Sequence, residues 1–302
     1  MRDRRHGGHT RFISFDVRHR GRGSFASCTR SVGAVQGEVA KRKLYLEGGL
    51  YLEFRADQPP TEEQWKAIAG LGVRGIGTGG KGINDEAIAR LAAMDLELLR
   101  LNGAESITDA CCQDLAKMKS LRRLSMEHML QKGFTGKDLG LLKDLPNLEA
   151  FTLAGSATGP EAMAAIGQLT QLKELANWHT RHSDPLNPYL LKLTNLKSLT
   201  LGRSNGAHDH KNWPALTDAT MGTLAQMKSL EKIELFDCRP SLAALEKLKA
   251  LPKLKTLQLS NLVDVQPADA EKLKVEMPGV VIQWKPLTES ERTRLDAMLK
   301  DD

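Results

Sequence analysis

Seven stretches decide the fold: LELLRL at 96–101, LRRLSM at 121–126, LEAFTL at 148–153, LKELAN at 172–177, LKSLTL at 196–201, LEKIEL at 230–235 and LKTLQL at 254–259. All follow L-x-x-L-x-L. A weaker copy, VRGIGT, starts at Val73, and VVIQW from Val280 closes the series. Successive starts lie 23, 25, 27, 24, 24, 34 and 24 residues apart. The last two apolar positions of the pattern are two residues apart, so both point to one face of a short strand. About ten residues on come stretches such as DEAIARLAAM (85–94) and DATMGTLAQM (218–227), with apolar residues three or four apart, the period of a helix. Each unit is too small to bury its own apolar face, and stacking neighbours creates one continuous core.

The units resemble bacterial leucine-rich repeats of the type that runs L-x-x-L-x-L and then I/V/L-T-D-x-x-L. The second half is carried by INDEAI (83–88), ITDACC (107–112) and LTDATM (216–221). The resemblance spans roughly residues 44–285. It implies an α/β solenoid, a right-handed arc of about eight repeats with short parallel strands on the concave face and helices on the convex face. It also implies that Ser156, Thr180, Ser204 and Cys238, eight residues after successive starts, satisfy backbone groups of the turns. The helix of ITDACC should bury Cys112, which aligns with Ile88, Met221 and Leu245.

Two adjacent repeats depart from the pattern. Asn177 stands where the last strand leucine belongs, and a buried Asn needs partners or costs about 1–3 kcal/mol, so a bulge is expected there. The helix region of that repeat, SDPLNPYLLKL (183–193), is interrupted by Pro185 and Pro188. The next repeat carries a polar insertion, SNGAHDHKNWP (204–214), expected to project as a loop.

The ends read differently. Residues 1–42 are basic and fit no repeat; they read as a disordered extension, a targeting segment, or an arm for nucleic acid or an anionic surface. The formal charge is +6 for the chain but +8 for residues 1–43, which leaves −2 for the repeats. A body that bound nucleic acid along its length would carry the positive charge itself. KLYLEGGLYLEF (43–54) reads as a hairpin capping the repeat domain, 43–285. TESERTRLDAMLK (288–300) carries a capping box, Thr288 with Glu291, which opens a last helix over 286–302. No apolar run is long enough to span a membrane, and no signal peptide is visible. The compartment stays open: cytoplasmic on the absence of a signal peptide, exported should the start codon be misassigned.

Nothing points to catalysis. There is no phosphate loop and no G-x-S-x-G elbow, and the glycines of GLGVRGIGTGG (70–80) lack the strand–helix context of a dinucleotide site. The cysteines, Cys28, Cys111, Cys112 and Cys238, form no C-x-x-C pair. The expected function is therefore non-enzymatic recognition of another protein, without a cofactor, through the concave face and the insertion. In a stacked array, outward positions align in rows. Six and seven residues after each start, these rows bring together Trp178, His179, Arg203, Phe236 and Asp237, with Glu127 and His128 alongside. Two strands should separate Trp178 from Phe236 by about 10 Å. Arg100 and Arg123 lie on neighbouring rows, and Trp213 of the insertion adds to the candidate footprint. An exposed Trp beside Arg is interface composition; the alternative has Trp178 turning inward at a bulge. A second function reading gathers His179, His182, His208 and His210 into a metal-dependent binding or enzyme site, though H-x-x-H and H-x-H are weak ligand spacings.

Overall fold

A computed structural model describes residues 16–18, 51–130, 133–202 and 216–299. Its described strands form one open sheet of eleven in sequence order. They are β1 (Asp16–Arg18), β2 (Tyr51–Glu53), β3 (Gly75–Thr78), β4 (Leu98–Asn102), β5 (Arg123–Glu127), β6 (Ala150–Ala154), β7 (Glu174–Trp178), β8 (Ser198–Gly202), β9 (Lys232–Cys238), β10 (Thr256–Leu262) and β11 (Val281–Lys285). Strands β2 to β11 run parallel, and β1 pairs antiparallel with β2. Residues 43–50, the first arm of the expected hairpin, lie outside the described residues; on that edge β2 meets Asp16–Arg18 instead. The helices are α1 (Glu62–Gly70), α2 (Asp85–Ala92), α3 (Cys111–Leu115), α4 (Pro160–Ile166), α5 (Asp218–Leu224), α6 (Leu242–Glu246), α7 (Pro267–Glu276) and α8 (Glu289–Leu299). Lys137–Asp144 and the proline-interrupted Asp184–Lys192 are 3-10 segments.

The register explains the core. Leu99, Leu124, Phe151, Leu175, Leu199, Ile233 and Leu257 pair in one inward row, and Leu101, Met126, Leu153, Asn177, Leu201, Leu235 and Leu259 in the next. All fourteen are buried. Behind them Ile88, Cys112, Met221 and Leu245 hold the equivalent helix position, each wholly buried. Cys111 is equally buried. A hydrogen bond to Cys112, reinforced by burial, pushes its thiol up, away from the reactive thiolate.

The T-D pairs of the repeats acquire a physical reason. The Asp85 carboxylate accepts from the backbone N–H (2.9 Å) and hydroxyl (2.6 Å) of Thr108 in the next repeat. Asp109 does the same with Thr135 and adds the N–H of Gly136 at 2.7 Å. Asp184 serves Thr217, and Asp218 serves Ser241. Each carboxylate thus satisfies donors at the start of the neighbouring turn that no backbone carbonyl takes up. Gly136 stands where the motif calls for Asp, and one repeat later the buried hydroxyl of Thr158 has no partner.

Asn177 does not break the strand. It keeps register between Leu153 and Leu201, so the expected bulge is absent. The reason is a buried polar chain. The Thr180 hydroxyl donates to Asn177 Oδ1 (2.8 Å), and Asn177 Nδ2 donates to Met163 Sδ and to His182 Nδ1, both at 3.1 Å. With Nδ1 accepting, the His182 proton sits on Nε2 and goes to Asn187 Oδ1 at 3.0 Å. Asn187 Nδ2 donates to the Thr220 hydroxyl (2.9 Å), which donates to Asp184. Burial holds the His182 imidazole, 1% exposed, down to about 4 from 6.5. This takes His182 out of the histidine grouping that the alternative metal reading needs: it is a neutral core residue with both ring nitrogens engaged. His208 and His210 lie outside the described residues. The Ser156 hydroxyl accepts from the N–H of Met129 and donates to the carbonyl of Ala154, as the repeat pattern implied; Thr180 serves the polar chain, also accepting from the N–H of His182. At the far end, Thr288 and Glu291 complete the capping box of α8, whose Leu295 packs on Val263.

Two outcomes follow. In a Cys28→Ser background, native Cys111, Cys112 and Cys238 resist a thiol reagent that labels the urea-unfolded chain, and Cys112→Asp destabilises by several kcal/mol, on the order of a buried unpaired charge; rapid native labelling contradicts the packing. The second concerns acid. Below pH 6.5 the unfolded imidazole of residue 182 takes up a proton that the native one refuses down to about 4. Stability is therefore complete above pH 6.5, falls as the pH drops through that window, and stops falling below it. The loss between pH 7 and pH 5 is about 2 kcal/mol, read as urea unfolding free energy. His182→Gln lacks that slope whatever its absolute stability; equal slopes in both proteins rule out His182 as its source.

Candidate functional site

The concave face begins as a set of internally matched charges. Arg100 on β4 is 8% exposed and forks onto Glu127 of β5 through Nε (3.2 Å) and Nη2 (3.1 Å), while Nη1 reaches Glu53 of β2 at 3.4 Å. The Ser125 hydroxyl adds a bond to Glu127 at 2.8 Å. Burial alone would raise the Glu127 pKa, but the bonds from Arg100 outweigh it and hold it below the usual carboxylate range. Arg123 forks onto Glu174 across two strands at 2.9 and 3.0 Å. Three residues of the expected footprint, Arg100, Glu127 and Arg123, are thus engaged with the chain itself.

Seven residues after seven of the repeat starts the backbone turns left-handed, just past the strand for β3 to β7 and within it for β9 and β10. Gly80, Gly103, His128, Gly155, His179, Asp237 and Asn261, each seven residues after a repeat start, all have φ between 51° and 94°. Their N–H groups still extend the ladder: Gly80 donates to Gly103, Gly103 to Glu127, His128 to Ala154 and Gly155 to Trp178. Glycine takes this conformation freely, whereas a side chain there costs about 1–2 kcal/mol, with Asn, Asp and His the residues most often found. The column makes a rim along one edge of the concave face. On it the His128 ring lies over Gly155, where a Cβ would stand 2.7 Å from the imidazole, and its Nδ1 is 2.9 Å from Asn102 Oδ1.

The rim gathers its aromatic groups at β7 to β9. Because Asn177 stays inward, Trp178 faces out. Phe236 leans across the intervening strand over Gly202, where a Cβ would collide with its ring at 2.2 Å. The missing side chain lets the rings of Trp178 and Phe236 meet edge to face, with centroids 6.3 Å apart at 61°. The sequence expectation of about 10 Å describes the backbones; the rings close the gap. His179 meets the same Phe236 ring at 6.1 Å and 84°, and its Nε2 lies 3.9 Å from Asp237 Oδ2. Asp237 Oδ1 accepts from Asn261 Nδ2 at 2.9 Å. The structure therefore unites four of the expected footprint residues, Trp178, His179, Phe236 and Asp237. His128 stands farther along the rim, and Arg203 and Trp213 fall outside the described residues. Sequence reasoning missed Gly202 as the residue that permits the ring contact, although its place between two aromatic rows was the signal.

Among the described residues no group of three or more His, Cys, Asp or Glu side chains could hold a metal ion, and no helix is long and apolar enough to cross a membrane.

No protein-family model and no curated protein matches the sequence. Solved structures do resemble the fold. The structure of human 5T4 (Wnt-activated inhibitory factor 1, trophoblast glycoprotein) overlays with a TM-score of 0.51 and 16% identity, covering 83% of this chain and 92% of that one. The TLR13 chain from its complex with ssRNA13 overlays with a TM-score of 0.50 and 18% identity, over 76% of this chain and 31% of that chain. The chain thus spans about a third of the length of TLR13. At these identities the likeness concerns architecture alone, and with the open parallel sheet and its repeating register it establishes that the chain folds as a leucine-rich-repeat solenoid.

Proposed function

We propose that the protein is a non-enzymatic recognition module that binds another protein at the rim of its concave face. The observation that carries this reading is the outward-facing pair Trp178 and Phe236, set edge to face across Gly202 with His179 and Asp237 beside them. Large aromatics at the centre of a contact supply most of the affinity in protein interfaces, because they bury much area while losing little conformational freedom. The insertion at 204–214 follows directly from β8 and extends the footprint through Trp213. Arg100, Glu127 and Arg123 shape the floor of the arc but bring no unmatched charge to a partner.

The same matching argues against nucleic acid as the occupant of the concave face. Binding along a phosphate backbone needs several uncompensated cations, and both arginines here are held by carboxylates. The TLR13 structure was solved with RNA; in this chain the excess positive charge lies in residues 1–43. Any attachment to nucleic acid would therefore run through that segment, with a steep salt dependence that disappears when residues 1–42 are deleted.

The experiment uses the full-length chain as bait and quantifies the proteins it retains. The double substitution Trp178→Ala with Phe236→Ala should reduce retention of the specific partner by more than about tenfold, with circular dichroism unchanged. Gly202→Ala provides an independent version, since its methyl drives the Phe236 ring away while both rings remain. It should weaken the same partner by at least about fivefold. Retention of that partner by both variants at the wild-type level would refute the concave-rim reading.

A further inference from the structure

Carboxylates on the concave face follow a rule with one exception. Glu53 and Glu127 share Arg100, and Glu174 holds Arg123. Among the described residues Glu234 and Asp237 on β9 have no such arginine; Arg203, of the neighbouring repeat, lies outside them. Among the described residues Glu234 Oε2 accepts the Thr200 hydroxyl at 3.2 Å, and Asp237 has Asn261 on one oxygen and His179 near the other. Among the described residues neither is in ion-pair contact with Lys or Arg, and Lys232, next on the same face, pairs with neither. These two carboxylates flank Phe236 on its own strand: Glu234 lies on the same face, roughly 7 Å down the strand, and Asp237 is the next residue. Among the described residues, the two carboxylates without a Lys or Arg partner are thus the two that stand beside the rings.

We propose that this surface patch, carrying Trp178, Phe236, Glu234 and Asp237, receives one basic side chain of the partner, an arginine or lysine. The proposal rests on the recognition reading above and specifies the chemistry of one partner residue. Such a side chain is amphipathic. Its methylene stem lies against apolar rings, its charged head is attracted to the negative face of an aromatic ring, and its N–H donors seek carboxylate oxygens. Here the rings meet at 61°, so they present an angled wall rather than a flat stack. The carboxylates are already oriented by Asn261 and Thr200, so little ordering is left to binding. An acidic partner residue is disfavoured, since it would meet two carboxylates with no described cation between them. A purely apolar residue would cover the rings and leave Glu234 and Asp237 to be desolvated unpaired.

The test uses the full chain labelled with 15N and two small probes: N-acetyl-arginine methylamide and its uncharged near-isostere N-acetyl-citrulline methylamide. The readout is the indole N–H resonance of Trp178, assigned by its loss in Trp178→Phe. The arginine probe should shift this resonance saturably, with citrulline weaker by at least about fivefold, a factor in the range of a cation–ring and carboxylate contact. The double substitution Glu234→Gln with Asp237→Asn should remove that difference by weakening arginine alone. Circular dichroism and the remaining indole resonances report whether its fold is intact. Equal binding of the two probes, no saturable shift with either, or discrimination that survives in a folded double variant each overturns the proposal. Its failure is distinguishable from failure of the recognition reading. Should the probes not discriminate while the Trp178→Ala and Phe236→Ala variant still loses its partner, only the basic-residue proposal falls. Should they discriminate while that variant keeps its partner, the patch binds cations and the rim reading falls.

Discussion

No single repeat of this chain can bury its own apolar residues, and every other feature follows from that. Leu99 and Leu101 of one strand are buried only because Leu124 and Met126 stand in register beside them, and so on along the sheet. The hydrophobic gain is distributed over neighbours, so stability belongs to the interfaces between repeats rather than to any repeat. The carboxylates of Asp85, Asp109, Asp184 and Asp218 serve those same interfaces. Each reaches into the next repeat and satisfies the donors that a turn leaves open. Apolar rows and polar bridges repeat with one period, so a unit that keeps the period is held from both sides.

The same constraint places the chemistry. Strands stacked in register must all bend at the same height, and the left-handed column from Gly80 to Asn261 is the backbone form of that bend. Glycine would suffice at every position in it. The chain instead carries His128, His179, Asp237 and Asn261, whose side chains the conformation projects along the rim. His128 and Asn261 use the opportunity for bonds to neighbouring repeats. His179 and Asp237 use it beside the two aromatic rings.

Period and register were legible in the sequence because they depend on residue type at fixed spacing. The strand starts, the buried position of Cys112, the capping box at Thr288 and the grouping of Trp178 with His179, Phe236 and Asp237 all follow from counting. What could not be counted was how side chains cross between repeats. Asn177 looked like a defect in a leucine position, because its partners Thr180, His182 and Met163 lie on other elements or face inward only once the turn is formed. His182 looked like a rim ligand for the same reason. Arg100 and Glu127 belong to neighbouring strands 27 residues apart in sequence, and their row assignments describe direction but not pairing. Ring distances likewise depend on Gly202, whose contribution is the absence of atoms.

Core chemistry and rim chemistry are joined through adjacent residues. Asn177 points inward to His182, and the next residue, Trp178, points outward to Phe236. His179 follows, and Thr180 bonds back to Asn177, so the turn carrying His179 is closed by the polar chain of the core. That chain continues through Asn187 and Thr220 to Asp184, which also holds Thr217 at the start of α5. A leucine at 177 would restore the apolar row but leave the Thr180 hydroxyl and His182 Nδ1 without their Asn177 partner. The bonds of Asp184 and Asn187 to Thr217 and Thr220 would still tie the two repeats, but the turn that aims His179 at Phe236 would lose the Thr180 bond that closes it. The departure from the repeat pattern at Asn177 thus does structural work for the residues that face outward beside it.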